Sequence, residues 1–144
     1  MPEIKVRRMK KEDLGAVARI DAAITKRPAR VDFKGILSEE LKRETDASFV
    51  ALINRKVVGF MISHLTSGNF GADQCAWIDM FGVDPKCMGQ GIGIRLAEEV
   101  FRHYKEKGTL KVYTSVRWDS TDILSFFKAL GFERSDFINL RRIL

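Results

Sequence analysis

"VDPKCMGQGIGIRLAEEVFRHYKEKG", Val83 to Gly108, sets three glycines within five residues and then runs on as an amphipathic segment. Glycine inside a helix costs roughly 1 kcal/mol relative to alanine, so Gly89, Gly91 and Gly93 need a reason. From Ile92 onward, Ile92, Leu96, Val100, Phe101 and Tyr104 recur at helical spacing, and Gly108 stops the pattern. Upstream, "CAWIDMFGV" (75–83) reads as an apolar strand closed by "DPKCMGQG". The glycines therefore stand at a strand-to-helix junction. The first turn of a helix leaves N–H groups unpaired and carries partial positive charge. A backbone without Cβ atoms lets an anion reach those groups. The segment suits a phosphate gripped by main chain alone, with a tight turn and close helix–sheet packing as the structural alternative.

Two phosphate motifs do not fit. A P-loop needs G-x-x-x-x-G-K-[ST], and no Lys-Ser or Lys-Thr follows these glycines. A dinucleotide fingerprint needs G-x-G-x-x-G near a first strand, whereas the spacing here is G-x-G-x-G and comes late in the chain.

Around this segment the order of elements is regular. "IKVRRM" (4–9) alternates like a half-buried strand, and "EDLGAVARIDAAI" sets Leu14, Val17, Ala18 and Ile24 on one helical face. "TKRPARVDF" reads as a loop, with a second helix expected at about 36–45. "SFVALI" and "VVGFMISHL" flank "NRK" as a hairpin. After the glycine helix come a strand in "LKVYTSV", a loop "RWDS", a short helix "TDILSFFKAL" stopped by Gly131, and one or two strands in "FERSDFINLRRIL". This order predicts an α/β (α+β) fold in one domain over 1–144, with a mixed sheet covered by helices.

The chain has 144 residues, 45% hydrophobic and 31% charged, which excludes a disordered class and suits one folded domain. No apolar run reaches the length of a membrane span, and the first residues lack a signal-peptide pattern, so a cytoplasmic protein without membrane partners is expected. Cys75 and Cys87 form no disulfide framework and share no metal-ligand spacing with His64 or His103, so no metal site is expected. His64 and His103 read as structural or exposed. A net charge of +6 favours anionic partners, but its dispersal makes a solvated surface the default.

Val83 and Pro85, followed by Met88-Gly89-Gln90-Gly91-Ile92-Gly93, resemble the V-x-P and [Q/R]-x-x-G-x-[G/A] pattern of the GNAT superfamily of N-acetyltransferases. The likeness extends over nearly the whole chain. It implies a mostly antiparallel sheet of six to seven strands with about four helices, the fourth and fifth strands splayed apart. It implies acetyl-CoA as acyl donor, its pyrophosphate on Met88, Gly89, Gln90, Gly91, Ile92, Gly93 and Ile94, and its pantetheine along Phe81, Gly82 and Val83. Ser120 and Phe127 match further cofactor positions. Gly82 within a strand fits a bulge or a close backbone approach, and equally a bulky neighbour. Met88 departs from the usual Gln or Arg, and Phe127 stands where many members have a tyrosine that protonates the thiolate. Ser115 occupies the position of a catalytic glutamate in ribosomal-protein alanine acetyltransferases.

The chemistry needs a group that takes a proton from an amine, because a lysine-like amine with pKa ~10.4 is almost wholly protonated at neutral pH. Asp79 is the candidate, being flanked by apolar residues and matching an acidic position of aminoglycoside-type members; a structural aspartate is the alternative. A strand N–H near Val83 could polarise the carbonyl. Trp77, Asp79, Arg30, Phe33 and Trp118 are expected to border the substrate, an amine-bearing small molecule or protein. Arg27 and Arg117 could add attraction for an acidic group. A homodimer stays open, since family members often pair. Two rivals remain: an acyl-CoA-binding sensor or pseudoenzyme of the same fold, and a basic nucleic-acid-binding module. The second ranks low, since no aromatic-interleaved basic sheet or recognition helix is present.

Overall fold

Asn54 and Arg55 both hold positive φ, 49° and 68°, the backbone of a two-residue hairpin turn whose twist matches that of its strands. A computed structural model of the chain, describing residues 2–26, 46–66 and 74–144, builds one sheet around that turn. The strands are β1 (Ile4–Arg8), β2 (Ser48–Ile53), β3 (Lys56–Thr66), β4 (Cys75–Val83) and β5 (Val112–Thr114), in that spatial order. β1 to β4 pair antiparallel, and β5 joins β4 in parallel. The helices are α1 (Leu14–Thr25), α2 (Ile92–Glu106) and α3 (Thr121–Ala129). The mixed, mostly antiparallel architecture agrees with expectation, whereas the counts differ: five strands and three helices among the described residues. The expected helix at about 36–45 lies outside them.

Two compact units divide the chain, Met1–Thr114 and Ser115–Leu144. In the first, the sheet is buried on both faces. Leu14, Val17, Ala18 and Ile20 of α1 pack with Val50, Phe60 and Ile62 on one face. Ile24, expected on this stripe, is half exposed at the helix end. On the other face α2 buries Ile92, Leu96, Ala97, Val100 and Tyr104. Close packing explains one strand glycine: a Cβ on Gly59 would sit 2.9 Å from Ile92 Cγ2 and 3.3 Å from Leu96 Cδ1.

Tyr104 pins the far end of α2 to the sheet. The Ser63 hydroxyl donates to the Ala47 carbonyl, so the 2.7 Å contact between the two hydroxyls is a bond donated by Tyr104. The Ala47 N–H donates to the same phenol oxygen at 3.1 Å. Burial raises the Tyr104 pKa above the ordinary phenol value, outweighing these bonds, and keeps the group neutral.

The second unit contains α3, whose Phe127 packs edge-on against Phe126 and Phe132 at 5.2 and 5.0 Å between ring centroids. Residues 132–144 carry no strand, contrary to expectation. Their apolar residues are interrupted by Glu133, Arg134, Asp136, Arg141 and Arg142, and no described strand lends them a ladder.

The β1–α1 connection rests on a forked ion pair. Arg7 Nη1 and Nη2 donate to the two oxygens of buried Asp13 at 2.8 and 2.9 Å, and the Lys10 N–H adds a bond at 2.7 Å. Burial alone would raise the Asp13 pKa; the Arg7 bonds, the Lys10 amide and both positive charges outweigh it and hold it below the ordinary carboxylate value. The sign follows from linkage: a lowered folded-state pKa contributes stability above the unfolded value, and loses it as pH falls through the folded one. Asp13→Asn should therefore cost about 1–3 kcal/mol at pH 7. Urea denaturation across pH should show parent and variant converging in acid below the ordinary carboxylate range; a constant gap would contradict the assignment.

Candidate active site

β4 contains one residue more than its partner can match. Ile62 pairs with Met80 and Ser63 with Ile78, leaving Asp79 as the extra residue of a β-bulge. Gly82, where a bulge or close backbone approach and a bulky neighbour stand as equal readings, pairs regularly with Phe60. Its missing side chain has the other explanation: a Cβ there would meet Ile24 Cδ1 at 2.8 Å and Phe60 Cε1 at 2.9 Å.

The bulge re-phases the strand. Below it, the Ala76 N–H donates to Lys111 O of the segment leading into β5. Above it, the Asp84 N–H donates back to Val58 O at 2.8 Å. Ladder alternation then turns the polar main-chain groups of Gly82 and Met80 toward β3, and those of Phe81 and Val83 toward the opposite side. On that side β5 has already ended. Its pairing stops at Ile78 with Thr114, whose hydroxyl donates to the Ile78 carbonyl at 3.0 Å. The strand expected over "LKVYTSV" is thus only three residues long, and β4 runs on for five residues without it. This is the splay implied by the resemblance, with Phe81, Gly82 and Val83 along the open stretch.

Polar and aromatic side chains gather beside the bulge. Asp79 Oδ2 lies 2.6 Å from His64 Nδ1, each side chain about one-third exposed. His64 pairs across the ladder with Trp77, and Trp77 with Tyr113. Directly paired residues share a sheet face, so His64, Trp77 and Tyr113 form a row on the face covered further along by α1. The indole and phenol rings stack, centroids 5.3 Å apart and planes 24° from parallel. Sequence reasoning placed Trp77 and Asp79 here and missed His64 and Tyr113. His64 is partly exposed and meets the Asp79 carboxylate from the neighbouring strand. The alternation of Phe60, Ile62 and His64 was the available signal.

β4 leads through a turn at Pro85–Cys87, capped by the Asp84 carboxylate on the Lys86 N–H, to the glycines. Gly89 and Gly91 have φ of 82° and 78°, the left-handed region that an L side chain enters only with strain. Gly91 is the N-cap of α2, and the Arg95 N–H begins the helical ladder on its carbonyl at 3.1 Å. The N–H groups of Gln90, Gly91, Ile92, Gly93 and Ile94 have no acceptor among the described residues. A Cβ built on Gly89 or Gly91 meets nothing within 4 Å, so neighbouring described atoms do not plug the entrance. Met88 is well exposed beside it. The donor set and the room before it fit a diphosphate.

Other expected site residues fall elsewhere. Arg27, Arg30 and Phe33 lie outside the described residues. Ser120, Trp118 and Phe127 belong to the second unit: Ser120 is the N-cap of α3, its carbonyl accepting from the Leu124 N–H at 2.9 Å. Trp118 is largely exposed with the Arg134 guanidinium over its ring. Arg117 is engaged by Asp119 through two bonds of 3.0 Å. Among the described residues, no group of three or more His, Cys, Asp or Glu could hold a metal ion, and no helix is long and apolar enough to cross a membrane.

The sequence is 32% identical over 114 residues to an uncharacterized N-acetyltransferase of Methanocaldococcus jannaschii, a match covering 78% of this chain and 49% of that protein. It is 27% identical over 138 residues to the mycothiol acetyltransferase of Amycolatopsis mediterranei, covering 87% and 44% respectively. The chain thus spans about half the length of these curated relatives or less. The fold matches a crystal structure of aminoglycoside N-acetyltransferase AAC(6')-Iy in complex with CoA at a TM-score of 0.83 and 20% identity, over 99% of this chain and 96% of that one. The model of the acetyltransferase (GNAT) family matches residues 16–132, taking in parts of both units. With the glycine turn and the splayed strand, that match settles the family: the chain belongs to the GNAT acetyltransferases.

Proposed function

We propose that this protein transfers an acetyl group from acetyl-CoA directly to a primary amine, as a single acetyltransferase domain over 1–144. The observation that carries the reading is the run of unengaged amides from Gln90 to Ile94 at the open glycine turn. Five N–H groups, a helix N-terminus and two left-handed glycines suit a diphosphate better than any other ligand class. The CoA of the aminoglycoside acetyltransferase complex belongs to a protein of the same fold and supports the choice of donor.

In this reading the diphosphate rests on the amides following Gly89, and the pantetheine arm lies along Phe81, Gly82 and Val83 like an added strand. Val83, whose N–H faces away from β3, offers a donor to the thioester carbonyl where negative charge develops. The acetyl end then comes near the bulge. There the Asp79 and His64 pair can drain the amine proton, and the Trp77–Tyr113 stack offers a π-face to a cationic or ring-bearing acceptor. The acceptor is an amine-bearing small molecule or protein. The second proton of the amine goes to the departing sulfur, through solvent or directly. A rival reading is an acyl-CoA sensor that binds without turnover, motivated by the sequence's lack of the tyrosine that many family members use on the thiolate.

A thiol-release assay separates the two. Incubated with acetyl-CoA and a panel of polyamines, aminoglycosides, amino acids and lysine peptides, the protein should release CoA thiol above blank with at least one amine. Binding without release across the panel would favour the sensor.

The glycine turn has its own test. Gly91→Glu introduces a carboxylate where the diphosphate is received, at a left-handed position costing about 1–2 kcal/mol for an L residue. CoA affinity by calorimetry should fall more than tenfold while the circular dichroism spectrum is kept. An unchanged Kd would remove the turn from the binding site.

A further inference from the structure

We propose that His64, on β3, is the residue that takes the proton from the acceptor amine, and that Asp79 is the positioning residue that holds it; this rests on the acetyltransferase reading above.

The geometry divides the roles. A carboxylate only accepts hydrogen bonds. With Asp79 Oδ2 at 2.6 Å from Nδ1, the proton of a neutral imidazole stands on Nδ1, and the lone pair is left on Nε2. Nε2 has no partner among the described residues. Asp79, by contrast, already spends an oxygen on His64. The group able to receive a proton from outside is the imidazole.

Chemical class agrees with this. Imidazole is a stronger base than a carboxylate by about 2.6 pKa units in their ordinary states, so a proton leaves an ammonium for imidazole about 400-fold more readily at equilibrium. The resulting imidazolium faces a carboxylate. Among the described residues, the Tyr113 phenol stands one strand beyond Trp77, and the Asp46 carboxylate accepts from the N–H of Leu65, next to His64 in the chain, at 2.8 Å. α1 covers this face of the sheet through apolar Val17 and Ile20.

The step balances as follows. One N–H bond of the ammonium breaks, and its proton joins Nε2. The freed nitrogen lone pair forms the N–C bond to the acetyl carbon, and the C–S bond breaks with its electron pair on sulfur. The nitrogen loses a second proton, which the sulfur receives. The imidazolium then gives its proton to solvent, restoring His64.

Two readouts test this. The first needs no turnover: long-range proton–nitrogen NMR of the neutral histidines in the intact protein. His64 should be the Nδ1–H tautomer, and Asp79→Asn should weaken that preference. An Nε2–H tautomer in the parent protein would overturn the proposal, whether or not any amine is acetylated. The second uses an amine found by thiol release. His64→Gln should lower kcat by about 10²- to 10⁴-fold, with little change in the KM for acetyl-CoA, and erase the acidic limb of the pH–rate profile. Asp79→Asn should keep that limb while lowering kcat. A limb that survives in His64→Gln and disappears in Asp79→Asn would make Asp79 the base instead.

Discussion

One unmatched residue in β4 organises this molecule. Asp79 has no counterpart on β3, and the strand must therefore change phase between Ile78 and Met80. Below it, β4 directs its hydrogen-bonding groups at Ala76 and Ile78 toward β5. Beyond it, Phe81 and Val83 take over that side just where β5 is absent. Without the bulge, regular alternation would turn the polar groups of Val83 toward β3. Asp79, two residues on from Trp77, shares the face of Trp77 and His64 by ordinary alternation. The opening in the sheet and the polar pair thus lie side by side on β4.

The surroundings hold that irregularity in place. Ser63, opposite the bulge, is fully buried and tied to Ala47 and Tyr104. Removing any one of these partners would leave a buried polar group unmatched, at about 1–3 kcal/mol. α2 therefore touches both ends of the functional region. Its C-terminal part braces β2 and β3 near the bulge, and its N-terminus presents the free amides. Gly59 lets the helix lie close enough to do so, with Ile92 and Leu96 against the bare backbone. The cost of the glycine turn falls outside this packed stretch. Gly89 and Gly91 face open space, where no core contact is given up.

The sequence exposed local features and concealed those that depend on pairing. The glycine turn, the amphipathic helix after it and the order of elements were legible, because spacing and backbone stereochemistry act over a few residues. The bulge was not. Asp79 carries no glycine or proline to mark it, and an insertion exists only relative to the partner strand. Gly82 suited a bulge and a bulky neighbour equally in the sequence, and its bareness answers to Ile24 and Phe60. His64 and Asp79 lie 15 residues apart, and only the β3–β4 register joins them. Arg7 and Asp13 were hidden likewise, since a buried carboxylate and its fork look like ordinary surface charge. The strands expected after Gly131 failed for the opposite reason: apolar letters were present, but a strand needs a neighbour.

The account stands on the claim that β4, past its bulge, and the start of α2 offer main-chain donors to one CoA molecule. Amide hydrogen exchange with and without CoA tests this most directly. In the free protein the Val83 amide and those from Gln90 to Ile94 should exchange quickly, while the Gly82 amide, turned into the β3 ladder, is protected. CoA should slow Val83 and the Gln90–Ile94 group together and leave Gly82 unchanged. If Val83 is already protected in the free protein, or if CoA binds and leaves these amides exchanging as before, the splayed strand and the glycine turn are not the cofactor site.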